Sequence, residues 1–239
     1  MPKTALAPAK ASVTEIARLQ KEATPRNVEG MARFGINPDR TLSIPVPVLR
    51  AIAKEVGRNH TLARELWATG IHDARHLAAM IAEPQRTTKR EMEDWARDLD
   101  SWDVCDGACF DLWRYTPHAY EKAAQWARRD GEFVRRAGFA LMAGLAVGDK
   151  QAPDERFLAF LPLIEEASDD GRNFVKKALN WALRQIGKRN VALNRTAIAT
   201  AERIRARSTP AARWVAADAL RELRSDAVQR RLRSKRSTS

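Results

Sequence analysis

The sequence has few of the residues on which several classes of protein depend. Only two cysteines and four histidines occur among 239 residues, which excludes a disulfide framework and a histidine-rich metal site. No run of about 18 uncharged apolar residues occurs, and this excludes a transmembrane helix. The first residues, MPKTALAPAKAS, lack the apolar centre of a secretory signal. These absences predict a cytoplasmic protein with reduced thiols and no membrane partner.

Positive charge is concentrated in the last third of the chain. Residues 171–239 contain 18 Lys and Arg but four Asp and Glu, a net of +14, whereas residues 1–170 have a net of −2. Such a field attracts polyanions, above all nucleic acid, and makes their binding sensitive to salt. The alternative is a solvated basic face with a loose tail, and we expect residues 227–239 to form such a basic tail.

The pattern of apolar residues is helical along almost the whole chain. Glycine and proline, 11 of each, lie between the periodic segments, and no series of alternating strands occurs. The spacing predicts helices over residues 46–56, 61–70, 121–129, 133–147, 157–167, 174–187 and 213–224. Residues 1–12 are rich in Ala, Pro and Lys and are expected to form a disordered arm before a single domain over 13–226.

The second half of the chain contains a short internal sequence repeat. The segment FVRRA at 133–137 recurs as FVKKA at 174–178, and WVAAD follows at 214–218, so the intervals are 41 and 40 residues. A helical period near 40 is typical of HEAT-like helix pairs, which stack into a curved solenoid with a concave face. An ordinary helical bundle is the alternative. The sequence therefore predicts an all-α fold, a HEAT-like solenoid in the form of a right-handed α-α superhelix.

The stretch SWDVCDGACFDLW at 101–113 contains the first candidate site. Trp102 and Asp106 are four residues apart and lie on one face of a predicted helix. Cys105 and Cys109 fall on another stripe, and we interpret them as buried thiols rather than metal ligands. Asp103 lies in the first turn, where a carboxylate stabilises a helix. Asp106 is flanked by small residues that leave room for a ligand, and both a surface role and a functional role remain open for it.

The second candidate site combines cations with an aromatic ring. Arg135 and Arg136 are adjacent on an apolar helix, so one of the two should point towards the edge or groove of the solenoid, where an arginine can bind a phosphate through two hydrogen bonds. Lys177, Trp181 and Arg184 follow at spacings of four and three, which place them on one helix face. Aromatic rings among basic groups suit nucleic acid. The alternative is that Trp181 packs in the core of the repeat.

His72 and His76 share a helix face in the manner of a zinc-binding pair. Their motif, HDARH, lacks the Glu of the metalloprotease signature and supplies no third ligand. We therefore predict a partly exposed helix face and no metal site.

Four stretches stand out in their order and spacing: MARFGI (31–36), SWDVCD (101–106), FVRRAGF (133–139) and KALNWALRQIGK (177–188). Together they resemble the AlkD-like family of DNA alkylation-repair glycosylases, which are built of HEAT-like repeats, over roughly residues 25–225. The resemblance implies excision of N3- and N7-alkylated purines, such as 3-methyladenine and 7-methylguanine, from duplex DNA in base excision repair. It also implies that neither a metal nor a cofactor takes part, and that the protein is associated with the nucleoid in the cytoplasm of a bacterial type of cell.

The resemblance assigns roles to individual residues. It places the family's active-site carboxylate at Asp106, and the two tryptophans that form the cleft walls at Trp102 and Trp181. The family's phosphate-gripping arginine falls on Arg136. The full DNA-binding set that we predict is Arg136, Lys177, Arg184 and Lys188.

A cationic alkylated purine leaves without a general acid, so the enzyme needs mainly to stabilise the sugar cation. In this hypothesis the Asp106 carboxylate does so and also orients the attacking water. The main alternative is a non-catalytic HEAT-like scaffold that binds DNA or RNA by shape. A protein–protein adaptor is a third possibility. For a solenoid that works on duplex DNA we expect a monomer.

Overall fold

A computed structural model of the protein describes residues 10–24, 28–33 and 35–236. Within these ranges all regular structure is helical and no strand occurs, as the sequence predicts. The same residues include no helix that combines the length and the apolar character needed to cross a bilayer. The chain divides into two compact units, Met1–Pro117 and His118–Ser239. Their boundary lies inside the range 13–226 that the sequence assigns to one domain, and that assignment stays a prediction.

Helix α5 is the centre of the first unit, where it packs against α3, α4 and α7. Trp67 of α4 stacks on Trp95 of α6 with ring centroids 4.1 Å apart, and both rings are buried. The α-helices of this unit, among the described residues, are α1 (Lys10–Lys21), α2 (Val28–Arg33), α3 (Val46–Val56), α4 (His60–Ala68), α5 (His72–Ile81), α6 (Lys89–Arg97) and α7 (Trp102–Gly107). The shorter turns are 3₁₀ at Pro84–Arg86, π at Ala108–Leu112 and 3₁₀ at Trp113–Tyr115.

Successive helix pairs build the second unit. Its α-helices are α8 (Ala119–Trp126), α9 (Glu132–Gly148), α10 (Asp154–Leu158), α11 (Leu161–Glu166), α12 (Asn173–Gly187), α13 (Val191–Arg205), α14 (Pro210–Leu223) and α15 (Asp226–Arg236), with a 3₁₀ turn at Ala167–Asp169. Helices α9, α12 and α14 pack in that order, α8 packs on α9, and α13 packs on α12 and α14. The Phe133 and Phe174 ring centroids lie 5.7 Å apart, so the first two copies of the internal repeat occupy equivalent positions on neighbouring helices.

Helix boundaries follow local chemistry where the sequence supplies a cap. The predicted helix at 46–56 coincides with α3, and Thr209 caps α14 by accepting a hydrogen bond from Ala212 N at 3.2 Å. The prediction of one helix over 157–167 is wrong, because the chain breaks into α10 and α11 there. Pro162 lies at the start of α11. Its ring and its missing N–H prevent a continuous helix, since the Leu158 carbonyl would need that donor.

Both predicted flexible ends are partly helical. Positions 1–9 of the predicted disordered arm, 1–12, lie outside the described residues, and positions 10–12 belong to α1. In the predicted tail, 227–239, α15 extends to Arg236 and the last three positions lie outside the described residues. Val228 and Leu232, four residues apart, are 7% and 1% exposed. This apolar pair holds one face of α15 against the unit, so the loose tail expected for RRLRSKRSTS is a helix up to Arg236.

The close approach of α9 to α8 requires the absence of a side chain at Gly138. A Cβ atom there would lie 2.9 Å from the Ala127 Cα and from the Trp126 carbonyl carbon, both of which are backbone atoms that cannot rotate away. We expect Gly138→Ala to lower the free energy of unfolding by about 1–3 kcal/mol, because overpacking outweighs the gain in helix propensity. Urea denaturation measures this change. Gly171→Ala is the control, because a Cβ there meets no atom within 4 Å, and an equal loss in both variants would contradict the overpacking.

Candidate functional site

Helix α7 carries the two candidate residues of the first unit. It begins after Ser101, whose backbone is extended (φ −150°, ψ 154°), and continues into the π turn at Ala108–Leu112. Cys105 and Cys109 are buried and not joined in a disulfide, as predicted. Trp102 and Asp106 lie one turn apart on α7, and both are half-buried. The Asp106 carboxylate is therefore neither enclosed in the core nor fully in solvent.

Gly107 has a packing role that sequence reasoning missed. A Cβ atom on Gly107 would lie 2.8 Å from His76 Nδ1 of α5. The small residue after Asp106 therefore lets the His76 imidazole lie directly against α7. The sequence predicts that the small neighbours of Asp106 leave space for a ligand, but on the side of Gly107 the His76 imidazole fills that space.

A buried cluster joins α5 to the start of α7. His72 Nε2 lies 2.9 Å from Asp103 Oδ2, and His76 Nε2 lies 3.5 Å from the same oxygen. The two histidines are 7% and 6% exposed, so the predicted partly exposed face is wrong. Asp103 still serves its own helix, because its Oδ1 accepts a hydrogen bond from Val104 N at 2.9 Å. The third polar group, which the HDARH motif itself does not supply, is therefore the Asp103 carboxylate of α7, about 30 residues further along the chain.

The charges within this cluster shift the pKa values of His72 and Asp103. Burial alone would lower the pKa of His72, but the hydrogen bond with Asp103 and the negative charges of Asp103 and Asp73 raise that pKa to about 9. Burial likewise opposes ionisation of Asp103. The hydrogen bonds and positive charge of His72 and His76 outweigh it and hold the Asp103 pKa far below its usual range.

Asp73 fixes a strained loop beside the cluster. Its carboxylate is 1% exposed and accepts hydrogen bonds from Leu42 N at 2.6 Å and Ile44 N at 2.7 Å. Between these two donors Ser43 has φ 56°, a conformation that residues other than glycine rarely adopt. Strain of this kind persists only where surrounding contacts hold it, and here the two hydrogen bonds to one carboxylate do so.

Arg136 of the second unit is almost covered. It is 6% exposed, and its Nη1 donates a hydrogen bond to the Phe174 carbonyl oxygen of α12 at 2.8 Å. The neighbouring Arg135 pairs with Asp170 at 3.1 Å. Both arginines therefore join α9 to neighbouring segments of the same unit. The role of Arg136 in gripping a phosphate stays a prediction.

Lys177 and Trp181 of α12 differ in their exposure to solvent. Lys177 is exposed, and Trp181, one turn further along, is half-buried. With the Gln185 amide oriented so that its oxygen faces the indole, that oxygen accepts hydrogen bonds from Trp181 Nε1 at 3.1 Å and from Lys188 Nζ at 3.2 Å. These bonds fix one edge of the indole, and part of the side chain remains accessible.

Glu222 neutralises two further cations, Arg184 of α12 and Lys188, which directly follows that helix. Arg184 forms a hydrogen-bonded ion pair with Glu222, and Lys188 Nζ lies 2.5 Å from its Oε1. Burial would raise the pKa of Glu222, but the hydrogen bonds and charges of these two cations lower it. The pairing is therefore present at neutral pH and is lost only as the pH falls through the lowered pKa. A phosphate that binds Arg184 or Lys188 must compete with this carboxylate.

This competition predicts that Glu222→Gln tightens DNA binding. Removing the carboxylate charge releases Arg184 and Lys188 for phosphate, and each new contact adds about 0.9 to the slope of log K against log salt. Fluorescence anisotropy of a labelled duplex at several salt concentrations measures both effects. Glu155→Gln changes the net charge equally at an exposed position. Equal effects of the two variants would show that net charge alone acts and that Arg184 and Lys188 do not contact DNA.

Sequence reasoning missed a surface around Trp214. This tryptophan is 40% exposed, and Lys176 Nζ lies 4.9 Å from its ring centroid. The adjacent Arg213 is also exposed. The sequence contained a signal for this surface, because Trp214 begins the third copy of the internal repeat and directly follows Arg213. An exposed indole among cations is the arrangement that favours stacking on bases beside phosphate contacts.

The predicted site residues belong to two units. Trp102 and Asp106 lie in the first. The second contains the remaining five: Arg136, Lys177, Trp181, Arg184 and Lys188. Three of these five lie on one helix, α12, Lys188 directly follows that helix, and Arg136 is hydrogen-bonded to its first turn.

Comparisons with known proteins agree with the fold. The sequence profile of the family described as "DNA alkylation repair enzyme" matches residues 16–223. No curated protein matches this chain. A solved structure of "a new family of proteins related to the HEAT-like repeat DNA glycosylases with affinity for branched DNA structures" superposes with a TM-score of 0.71. It is 21% identical, and the match covers 80% of this chain and 82% of that chain. The predicted all-α, HEAT-like fold is thereby confirmed.

Proposed function

Because this chain belongs to the family of DNA alkylation repair enzymes, we propose that it excises cationic N3- and N7-alkylated purines from duplex DNA. The observation that carries the proposal is the position of Asp106. This carboxylate is half-buried on α7, one turn from Trp102, within the residues that the family profile matches. Partial burial strengthens the electrostatic effect of a carboxylate while leaving it open to a substrate.

The chemistry assigned to Asp106 is electrostatic. An N3- or N7-alkylated purine carries a positive charge, and it leaves as a neutral base with the electron pair of the glycosidic bond. Positive charge then develops on the sugar, where a nearby carboxylate stabilises it and orients water towards C1′. Water adds at C1′ and gives up a proton, so the products are the free purine and an abasic sugar. No general acid is needed at the base.

The tryptophans and cations have binding roles in this proposal. The π faces of Trp102 and Trp181 attract a cationic nucleotide. Lys177 and the Lys176–Trp214 pair are accessible for contact with the backbone and bases. Arg136, Arg184 and Lys188 contact phosphate after exchanging some of their present partners, and the Glu222 variant tests this for Arg184 and Lys188.

A direct experiment uses one duplex with a single 7-methylguanine or 3-methyladenine and a second duplex of the same sequence without damage. The expected result is release of free methylated base from the first duplex only, measured by chromatography and mass spectrometry, with an abasic site left in the strand. Binding of both duplexes without any release would overturn the proposal.

The second candidate function is recognition of DNA shape without catalysis. It is favoured by the superposed structure, which comes from proteins with affinity for branched DNA. In the same experiment a four-way junction distinguishes the two functions. A shape-binding scaffold binds the junction more tightly than either duplex and releases no base.

A further inference from the structure

We propose that His72, His76 and Asp103 form a binding site for a divalent transition-metal ion of the Zn²⁺ class. Two imidazoles and a carboxylate are donors that suit this class of ion. The site lies wholly within the first unit and is independent of the proposed excision reaction. Among the described residues, these three form the one group of His, Cys, Asp or Glu whose ligand atoms gather in this way.

The spacing of the donor atoms suits a tetrahedral ion. All three ligand atoms lie within 4.8 Å of one another. The two imidazole nitrogens are 2.9 and 3.5 Å from Asp103 Oδ2. With metal–ligand bonds of about 2.0–2.2 Å, adjacent ligand atoms around a tetrahedral ion are about 3.3–3.5 Å apart. Side-chain rotations within one rotamer well therefore bring the three atoms into coordination geometry.

The backbone arrangement holds the donors in place before any ion arrives. His72 and His76 are one turn apart on α5, and Gly107 permits the direct contact of the His76 ring with α7. Asp103 is held by hydrogen bonds from Val104 N at 2.9 Å and Ser101 Oγ at 3.0 Å. A site built from two packed helices in this way loses little conformational freedom on binding.

A second carboxylate, that of Asp73, lies next to the Nδ1 side of the His72 imidazole. Asp73 Oδ2 lies 3.8 Å from His72 Nδ1, and that buried nitrogen has no hydrogen-bond partner. Metal binding at Nε2 places the imidazole proton on Nδ1, where it faces Asp73. Carboxylates in this position orient metal-bound histidines and raise their basicity. Asp73 is therefore a positioning residue for the metal site.

The cluster opens onto a cavity of about 300 Å³. Its other walls are the strained loop and the first turns of α3, with Ser43, Ile44, Val46 and Leu49, and Met31 of α2. Three protein ligands leave a fourth coordination position, and the cavity provides room there for water or a small ligand. A purely structural ion pair needs no such opening.

The test uses the full chain without an added histidine tag. We expect calorimetric titration with ZnCl₂ to show about one ion per chain, and Co²⁺ to give the visible absorption of a four-coordinate site without thiolate bands. His76→Gln and Asp103→Asn should each weaken binding by more than about 100-fold, and Asp73→Asn by about 10- to 100-fold. Circular dichroism checks that each variant folds.

His60→Gln is the matched control. His60 is also buried on a helix of this unit, but it faces a single carboxylate, Glu91, at 3.2 Å. This variant should bind Zn²⁺ like the natural protein. Absence of binding by the natural protein, or equal loss in His60→Gln, would overturn the proposal and leave the cluster as an ion pair between α5 and α7. Thiolate bands in the cobalt spectrum would also overturn it, because they would place the ion on Cys105 or Cys109. If the variants fail to fold, the spectrum of the natural protein still decides.

Discussion

Asp106→Asn is expected to slow release of 7-methylguanine from duplex DNA by about 10²- to 10³-fold while leaving DNA affinity nearly unchanged. The amide keeps the size and the hydrogen-bonding reach of the side chain but removes the negative charge that stabilises the sugar cation. Because that charge acts mainly in the transition state, its loss affects the rate of the chemical step and hardly affects binding. Single-turnover kinetics with excess protein measure this step directly.

Asp111→Asn is the matched control for this variant. Asp111 lies five residues from Asp106 in the π turn and pairs with Arg50 at 3.1 Å. It carries the same charge close to the same helix, and our proposal gives it no role in the reaction. Equal losses in the two variants would show that the charge of this region matters in general. Undiminished release by Asp106→Asn would remove Asp106 from the mechanism.

Asp73→Ala is expected to destabilise the first unit by about 3–5 kcal/mol. The substitution leaves the half-buried amide of Leu42 and the buried amide of Ile44 without their shared acceptor, and it releases Ser43 from the contacts that hold its positive φ. Urea denaturation measures the loss. Hydrogen exchange locates it, since both amides should exchange much faster than in the natural protein.

An exposed carboxylate provides the comparison for Asp73. Asp94 lies on α6 of the same unit and pairs with Arg97 at 2.7 Å on the surface. Asp94→Ala should change the free energy of unfolding by no more than about 0.5 kcal/mol. If the Leu42 and Ile44 amides remain protected in Asp73→Ala, the loop does not depend on this carboxylate.

Periodicity predicted six of the fifteen α-helices in the described part of the chain, because their apolar faces pack within the unit. Helices α3 and α12 have nearly the predicted limits, since each contains a regular apolar stripe between clear ends. Helix α15 was missed because its apolar pair, Val228 and Leu232, is diluted by many charges. The break between α10 and α11 was missed because an apolar run concealed the effect of Pro162.

The site was predictable only where it depends on local spacing. Trp102 and Asp106 share a face because they are four residues apart on one helix, and the sequence states that spacing. The meeting of His72 and Asp103 depends on the packing of α5 against α7, which no local pattern records. The same holds for Glu222, which lies 34 residues beyond Lys188 in the chain and pairs with it through packing of α12 on α14. Charge counting along the sequence therefore overstated the cations available to DNA.

The most direct test of the account compares a cationic base with a neutral one at the same position. Two duplexes of one sequence carry either 7-methylguanine or uracil, and release of each base is followed under single-turnover conditions. Because Asp106 stabilises the sugar cation and no group protonates the leaving base, we predict release of 7-methylguanine and none of uracil. Equal release of both bases, or release of neither, would contradict the central claim that lesion charge and one carboxylate together break the glycosidic bond.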